Sequence, residues 1–266
     1  RSEKPVIPLA SDGEKAIYAL ALSRIGAFNE ATEILTSLRL SKEPNVYYYL
    51  GLNAIEQWDF LSAPGPLKKY VTHNGISDYQ RTVGYLNLSA CYMGLQLYEQ
   101  SEHILQKLLI LTESSEHKLL RANTYELMAQ QKMFTAQVEE AKILLEKALE
   151  LIGQQNYQYE FFIRKWKAIA ALLESNRNLE PLLQIRSEAI RGEFWETVRE
   201  CDFFKAAIFK NEDEFLKVYF GSHFKGYKKR IMKLFNWQKP IPNSMFVSLN
   251  ISTEPLSSNP PKTSLP

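Results

Sequence analysis

Cysteine is scarce in this chain: 266 residues carry only Cys91 and Cys201, far apart in sequence and both among apolar neighbours. That count excludes a disulfide framework and leaves no Cys-x-x-Cys pair for zinc; the two residues read as reduced core thiols, with a disulfide or a reactive thiol as the alternative. The histidines, His73, His103, His117 and His223, have no His-x-x-x-His partner, so no metal site is expected. Glycines are single and scattered, and Gly221-Ser-His-Phe-Lys-Gly226 has no preceding strand, which argues against a phosphate-binding loop or a dinucleotide fingerprint. No cofactor is expected. No run of eighteen apolar residues occurs, since even Leu105 to Leu111 is interrupted by Gln106 and Lys107, so no membrane span is expected. Excess charge is also missing. A net charge of +2 gives no global polycation for nucleic acid or an anionic bilayer. The chain begins at Arg1 and the stretch to Asp12 has no apolar signal core, so the N-terminus reads as cleaved, trimmed or partial. A cytoplasmic location is expected, with a periplasmic or secreted one left open.

The most informative absence is proline. None of the 12 lies between Pro66 and Pro181, whereas six fall from Pro240 onward. A proline-free span rich in Leu, Ala, Glu, Gln and Lys favours helix throughout. Apolar residues recur at helical spacing in consecutive pairs: 14–26 with 29–40, 45–57 with 64–70, 78–93 with 96–111, and 116–132 with 136–152. A fifth, degenerate pair is expected at 157–174 and 179–190. Beyond it, 194–209 and 213–220 read as amphipathic helices capping the last repeat.

Laid over one another, the pairs share a register. Near the start of each second helix a small residue is followed at four and seven positions by larger ones: Ala31/Leu35/Leu38, Ala63/Leu67/Tyr70, Ser101/Leu105/Leu108 and Ala141/Leu145/Ala148. In the first helices Tyr47/Leu50/Gly51/Ala54 is matched by Tyr85/Leu88/Ser89/Tyr92 and, more loosely, by Tyr125/Met128/Ala129/Lys132. These residues resemble the tetratricopeptide repeat family, whose unit is a helix-turn-helix of about 34 residues. The resemblance covers about residues 14–152, with a degenerate continuation to about 190. Its small anchors recur after about 32, 38 and 40 residues (31 to 63, 63 to 101, 101 to 141), so the later units carry longer helices or turns. The resemblance implies an all-α, right-handed solenoid with a helical C-terminal cap. The expected organisation is an extension at 1–12, repeats at 13–190, a capping segment at 191–237 and an extended Pro/Ser-rich tail at 238–266.

In that family the first helices line a groove that holds a partner peptide or helix. Carried over by register, the resemblance places Asn45, Tyr48, Tyr49, Leu52, Ile55 and Glu56 in the groove from the second pair. The third supplies Val83, Leu86, Asn87 and Ala90, and the fourth Asn123, Glu126, Leu127 and Gln130. Asparagine offers both donor and acceptor to a peptide backbone, and tyrosine adds rigid contact area. Members that bind chaperone tails clamp a carboxylate with Lys and Arg, but here Tyr48, Leu52, Asn87, Asn123 and Leu127 stand at those places. A partner held by apolar and amide contacts is expected instead.

The carboxylate pairs Glu139-Glu140 and Asp213-Glu214 sit beside Lys142 and Lys217, where solvation and local ion pairs explain them without catalysis. The expected function is a non-enzymatic adaptor. An alternative rests on Lys225, Lys228, Lys229, Arg230 and Lys233, interleaved with Phe224, Tyr227, Phe235 and Trp237. Basic residues among aromatics suit phosphate contact and base stacking, although a solvated capping helix explains them as well. Trp195-Glu196, Arg199, Asp202 and Tyr219-Phe220-Gly221 loosely resemble the segment after the helical repeats in some bacterial regulators. The chain would then be a sensor or transcription-regulatory domain whose basic helix contacts nucleic acid or an effector. Self-association into a homodimer through the ends of the repeats is a third possibility.

Overall fold

The computed structural model describes residues 11–38, 43–57, 59–152, 157–174 and 177–221, together with Lys228 and Met232. Among them are twelve α-helices and no strand. The first six are α1 (Asp12–Arg24), α2 (Phe28–Ser37), α3 (Asn45–Glu56), α4 (Pro64–Val71), α5 (Asp78–Gly94) and α6 (Tyr98–Leu111). After a single 3-10 turn at Ser115–His117 come α7 (Lys118–Phe134), α8 (Val138–Ile152), α9 (Tyr157–Leu173), α10 (Glu180–Arg191), α11 (Trp195–Phe209) and α12 (Glu212–Phe220). The expected N-terminal extension, apart from Ser11 and Asp12, and the tail at 238–266 lie outside the described residues.

Helix starts carry local signals that periodicity alone does not show. Ser11 with Glu14 and Ser77 with Gln80 form reciprocal capping boxes at α1 and α5, so both helices begin on satisfied backbone donors. The turns are a repeated device. Five times a residue with φ between 53° and 86° (Gly26, Gln96, Ala136, Glu193, Lys210) ends a helix. The next N–H then reaches back to the carbonyl five residues earlier, at 2.8–2.9 Å: Ala27 to Leu22, Leu97 to Tyr92, Gln137 to Lys132, Phe194 to Ala189 and Asn211 to Ala206. This left-handed termination reverses the chain within three residues. Only the first uses the glycine that such a conformation favours.

The small residues of the shared register sit where helices of a pair cross. Ser89 and Ser101 lie 12 positions apart, with their hydroxyls 3.0 Å from each other. Ala19 with Ala31, Gly51 with Ala63, and Ala129 with Ala141 repeat that spacing, and all six are buried. The large residues that come next in the second helices, Leu35, Leu67, Leu105 and Leu145, are completely enclosed. At Gly51 a Cβ would come within 2.6 Å of Leu67 Cγ, so the absence of a side chain sets how closely α3 approaches α4. The first-helix small position continues as Ala170 in α9 and Ala206 in α11, both fully buried. Larger Leu182 and Val218 stand at the partner positions, which is why the fifth pair reads as degenerate in sequence.

Two polar contacts also recur with the register. Arg81 of α5 donates to the carbonyls of Val71 and His73 at the end of α4, and Arg121 of α7 to those of Leu109 and Thr112 at the end of α6. Each guanidinium satisfies terminal acceptors and complements the negative end of the helix dipole. Asn53 of α3 donates to the Phe28 carbonyl at the start of α2, and Gln131 of α7 to that of Tyr98 at the start of α6. Such repeated clamps fix each pair on its predecessor.

Packing keeps to chain order. Each odd-numbered helix touches the next odd-numbered one, from α1 to α11, and each even-numbered helix touches only the odd-numbered helices beside it in sequence. Among the described residues no contact joins elements further apart. The core is accordingly built in successive slabs: α1–α3 around Val46 and Leu35, α3–α7 around Leu67 and Leu105, and α7–α11 around Phe161 and Ile169.

Candidate functional site

The odd-numbered helices from α3 to α11 converge on a cavity of about 410 Å³. From α3 come Ile55 and Glu56, with Phe60 just beyond; from α5, Ala90 and Met93; from α7, Glu126, Leu127, Gln130 and Phe134. Lys165 and Trp166 of α9 and Glu200, Phe203 and Phe204 of α11 complete the wall. The aromatic part is one packed unit: Trp166 meets Phe134 edge-on at 6.3 Å and Phe204 at 5.5 Å between centroids, and Phe204 meets Phe203 at 5.4 Å.

Charge is buried in this wall. Lys165 Nζ lies 2.6 Å from Glu200 Oε2, and their side chains keep 7% and 17% of their exposed area, so the pair is largely withdrawn from water. The ammonium also stands 4.8 Å from the Trp166 ring centroid and 5.5 Å from that of Phe162. Burial alone would lower the Lys165 pKa. The charge and hydrogen bond of Glu200, with the charge of Glu126, reverse that and raise it, so the lysine is held protonated. Glu126 is the second carboxylate of the group. Burial raises its pKa, and Lys165 together with hydrogen bonds from Gln130 and Trp166 offsets only part of the rise; the Gln130 Nε2 donor stands 3.2 Å away.

The structure brings together some of the residues expected in the groove. Glu56, Ala90, Glu126 and Gln130, with Ile55 and Leu127, line the cavity. Glu56 also pairs with Arg24 of α1. Others take different places. Asn45 opens α3 and donates to Glu43 Oε1 at 3.0 Å. Tyr48 stacks on Tyr70 at 5.0 Å and accepts from Asn87 Nδ2 at 3.3 Å, and burial pushes its phenol up to about 12. Tyr49 packs against the first slab of core. Leu52 and Leu86 are buried. Asn123 is half-buried, outside the cavity wall, and its enclosed Oδ1 has no hydrogen-bond partner among the described residues.

Phe60, Met93, Phe134, Lys165, Trp166, Glu200, Phe203 and Phe204 were not anticipated. A signal for Lys165 does exist in the sequence: it falls between Phe161 and Ile169 at intervals of four, on the apolar face of its helix, where a charge requires a partner.

A second cavity, of about 400 Å³, lies among α10, α11 and α12. Its charges are already matched in part, since Arg186 holds Asp202 through two bonds of 2.5 and 3.0 Å and Lys205 meets Glu214 at 2.7 Å. Of the basic cluster, Lys225, Lys229, Arg230 and Lys233 lie outside the described residues. Lys228 places its ammonium 4.9 Å from the Tyr219 ring centroid. Among the described residues no helix is long and apolar enough to cross a membrane, and no three His, Cys, Asp or Glu side chains are grouped to hold a metal ion.

No protein-family model matches this chain, and no curated protein matches its sequence. The chemistry of the cavity therefore carries the functional reading.

Proposed function

We propose that the chain is a solenoid of tetratricopeptide-like repeats, right-handed as in that family, acting as a non-enzymatic adaptor that holds a peptide or helix of a partner protein along its odd-numbered helices. The observation that carries this reading is the convergence of five successive odd-numbered helices, α3 to α11, on one amphipathic cavity. A wall of aromatic and aliphatic side chains with a few placed polar groups is the usual make-up of a ligand site, and a row of like helices extends such a site along a chain. The recurring 12-residue small-to-small spacing and the strictly sequential packing support the repeat architecture. In this reading α11 and α12 form a sixth pair that covers the end of the fifth.

Binding suits the groups better than catalysis does. Lys165 is held protonated against Glu200, which removes the free amine that a nucleophile or base requires. The Cys201 thiol, beside that pair in sequence, is pushed up to about 12 by burial and so is not a thiolate near neutrality.

Ala90→Trp tests the reading, because it places a bulky ring on the cavity wall from a partly exposed position. Peptides selected by the wild-type chain from a random dodecapeptide phage library should bind this variant at least tenfold more weakly, by fluorescence anisotropy, with helicity unchanged. Equal affinity for both proteins would remove the cavity from the binding surface.

A further inference from the structure

The acids and bases on the cavity wall do not balance. Glu56, Glu126 and Glu200 face it with Lys165 alone. Lys165 is taken by Glu200 at 2.6 Å and Glu56 pairs with Arg24, which leaves Glu126 with no cation of its own at hydrogen-bond distance among the described residues. Leu127 and Phe134 of the same helix, the latter two turns further on, and Phe204 of α11 line an apolar slot of the same cavity. A carboxylate at the edge of such a slot is complementary to a cation on an aliphatic stem, because the stem covers apolar surface while the head meets the charge. A neutral or acidic group there would leave the half-buried carboxyl either protonated or repelled.

We propose that the cavity takes a basic side chain of the bound peptide, an arginine or lysine flanked by apolar residues, with its cation on Glu126 and its stem among Leu127, Phe134 and Phe204. This rests on the groove reading above and adds to it the chemistry of the occupant. Two aromatic faces, Phe162 and Trp166, already hold the Lys165 ammonium, so the incoming cation is read by the carboxylate rather than by an aromatic cage.

The same arrangement couples binding to protons. Glu126 faces Lys165 of α9, Glu200 of α11 and, across the cavity, Glu56 of α3; α5 brings only Ala90 and Met93 to the wall, and α6 and α8 bring nothing. Burial raises the Glu126 pKa in the free protein, and a docked cation favours the ionised form. The basic peptide therefore displaces a proton, and its affinity rises with pH through the free-state pKa of Glu126.

The test is selection from the random dodecapeptide library on the full chain at pH 7.5, run in parallel on wild type and on Glu126→Gln, which keeps the shape of the side chain. The expected result is enrichment of Arg or Lys beside apolar residues on the wild type and loss of the basic preference on the variant. Exchanging the arginine of an enriched peptide for citrulline, or its lysine for norleucine, should weaken binding to wild type by roughly ten- to a hundredfold, the range for a charge-assisted contact. That comparison leaves the protein unaltered and so is independent of how well the variant folds. Enriched peptides that are apolar with no basic preference would overturn the cation while leaving the groove reading intact. A basic preference retained in full by Glu126→Gln would do the same. If no peptide is enriched, both readings fall together; saturable binding of 2-phenylethylammonium without any enriched peptide would assign the slot to a free amine and overturn the peptide occupant.

Discussion

Replacing Lys165 by Met isolates the charge at the centre of the cavity wall, because the two side chains have similar volume and an unbranched stem. Removing the ammonium leaves Glu200 without its partner at 2.6 Å and Glu126 without its principal favourable charge. Breaking a buried pair by removing one member costs about 3–5 kcal/mol, since an uncompensated charge stays behind. The Glu200 side chain keeps 17% of its exposed area, so the lower end, about 3 kcal/mol, applies at pH 7.5. For a chain of this size that corresponds to a fall of roughly 6–12 °C in melting temperature. The pH dependence has a definite sign. Burial already raises the Glu126 pKa, and loss of the lysine's charge raises it further; stability from an acid raised in this way is present at low pH and lost as pH rises through the folded pKa. Lys165→Met should therefore be far closer to wild type at pH 5 than at pH 7.5. Guanidinium unfolding followed by circular dichroism at both pH values measures the difference. A penalty below about 0.5 kcal/mol at pH 7.5, or one that is equal at the two values, would refute the buried-triad account.

The close helix crossings, the left-handed turns and the buried thiols each have a measurable consequence. Gly51→Ala places a Cβ 2.6 Å from Leu67 Cγ, and Leu67 is fully enclosed. Overpacking of about 1–3 kcal/mol should outweigh the gain of about 1 kcal/mol in helix propensity, so the variant should unfold at lower denaturant than wild type. Gln96→Gly and Ala136→Gly relieve left-handed backbone at φ 62°. Each should stabilise the chain by about 0.5–1 kcal/mol, while Gly26→Ala should destabilise it by a similar amount, all read from denaturation midpoints. Cys91 and Cys201 are both buried. A thiol-reactive chromophore should modify neither in the native state and both in 6 M guanidinium; fast native labelling at Cys201 would contradict its raised pKa.

Sequence periodicity carried the helix pairs well because the small-then-large register is a direct image of how two helices meet. Ala31, Ala63, Ser101 and Ala141 are buried to 1% or less, as a close crossing demands. The turns were less legible. Gln96, Ala136 and Glu193 adopt a conformation that favours glycine, and side-chain type gives no hint of it; the tertiary packing of the flanking helices imposes it. Arg81 and Arg121 carry no signal in the sequence, because their partners are carbonyls at the end of the preceding helix. The wall of the candidate cavity was legible where it came from the well-repeated pairs, as with Glu56, Ala90, Glu126 and Gln130. It was hidden where it came from α9 and α11, whose partner helices carry Leu182 and Val218 in place of small residues. Tyr48 and Asn87, expected to meet a ligand, also meet each other across α3 and α5. The length of tyrosine lets Tyr48 reach Tyr70 on α4 and stack there.

Contact between a partner peptide and the odd-numbered helices is the central claim, and a photo-reactive benzophenone side chain reports that contact directly. Placed at Phe134 or Phe204 in the cavity wall, it should cross-link a library-selected peptide. Placed at Ile110 of α6 or Ile143 of α8, which are 75% and 57% exposed on the even-numbered helices, it should not. Cross-links from Ile110 or Ile143, with none from Phe134 or Phe204, would contradict the claim.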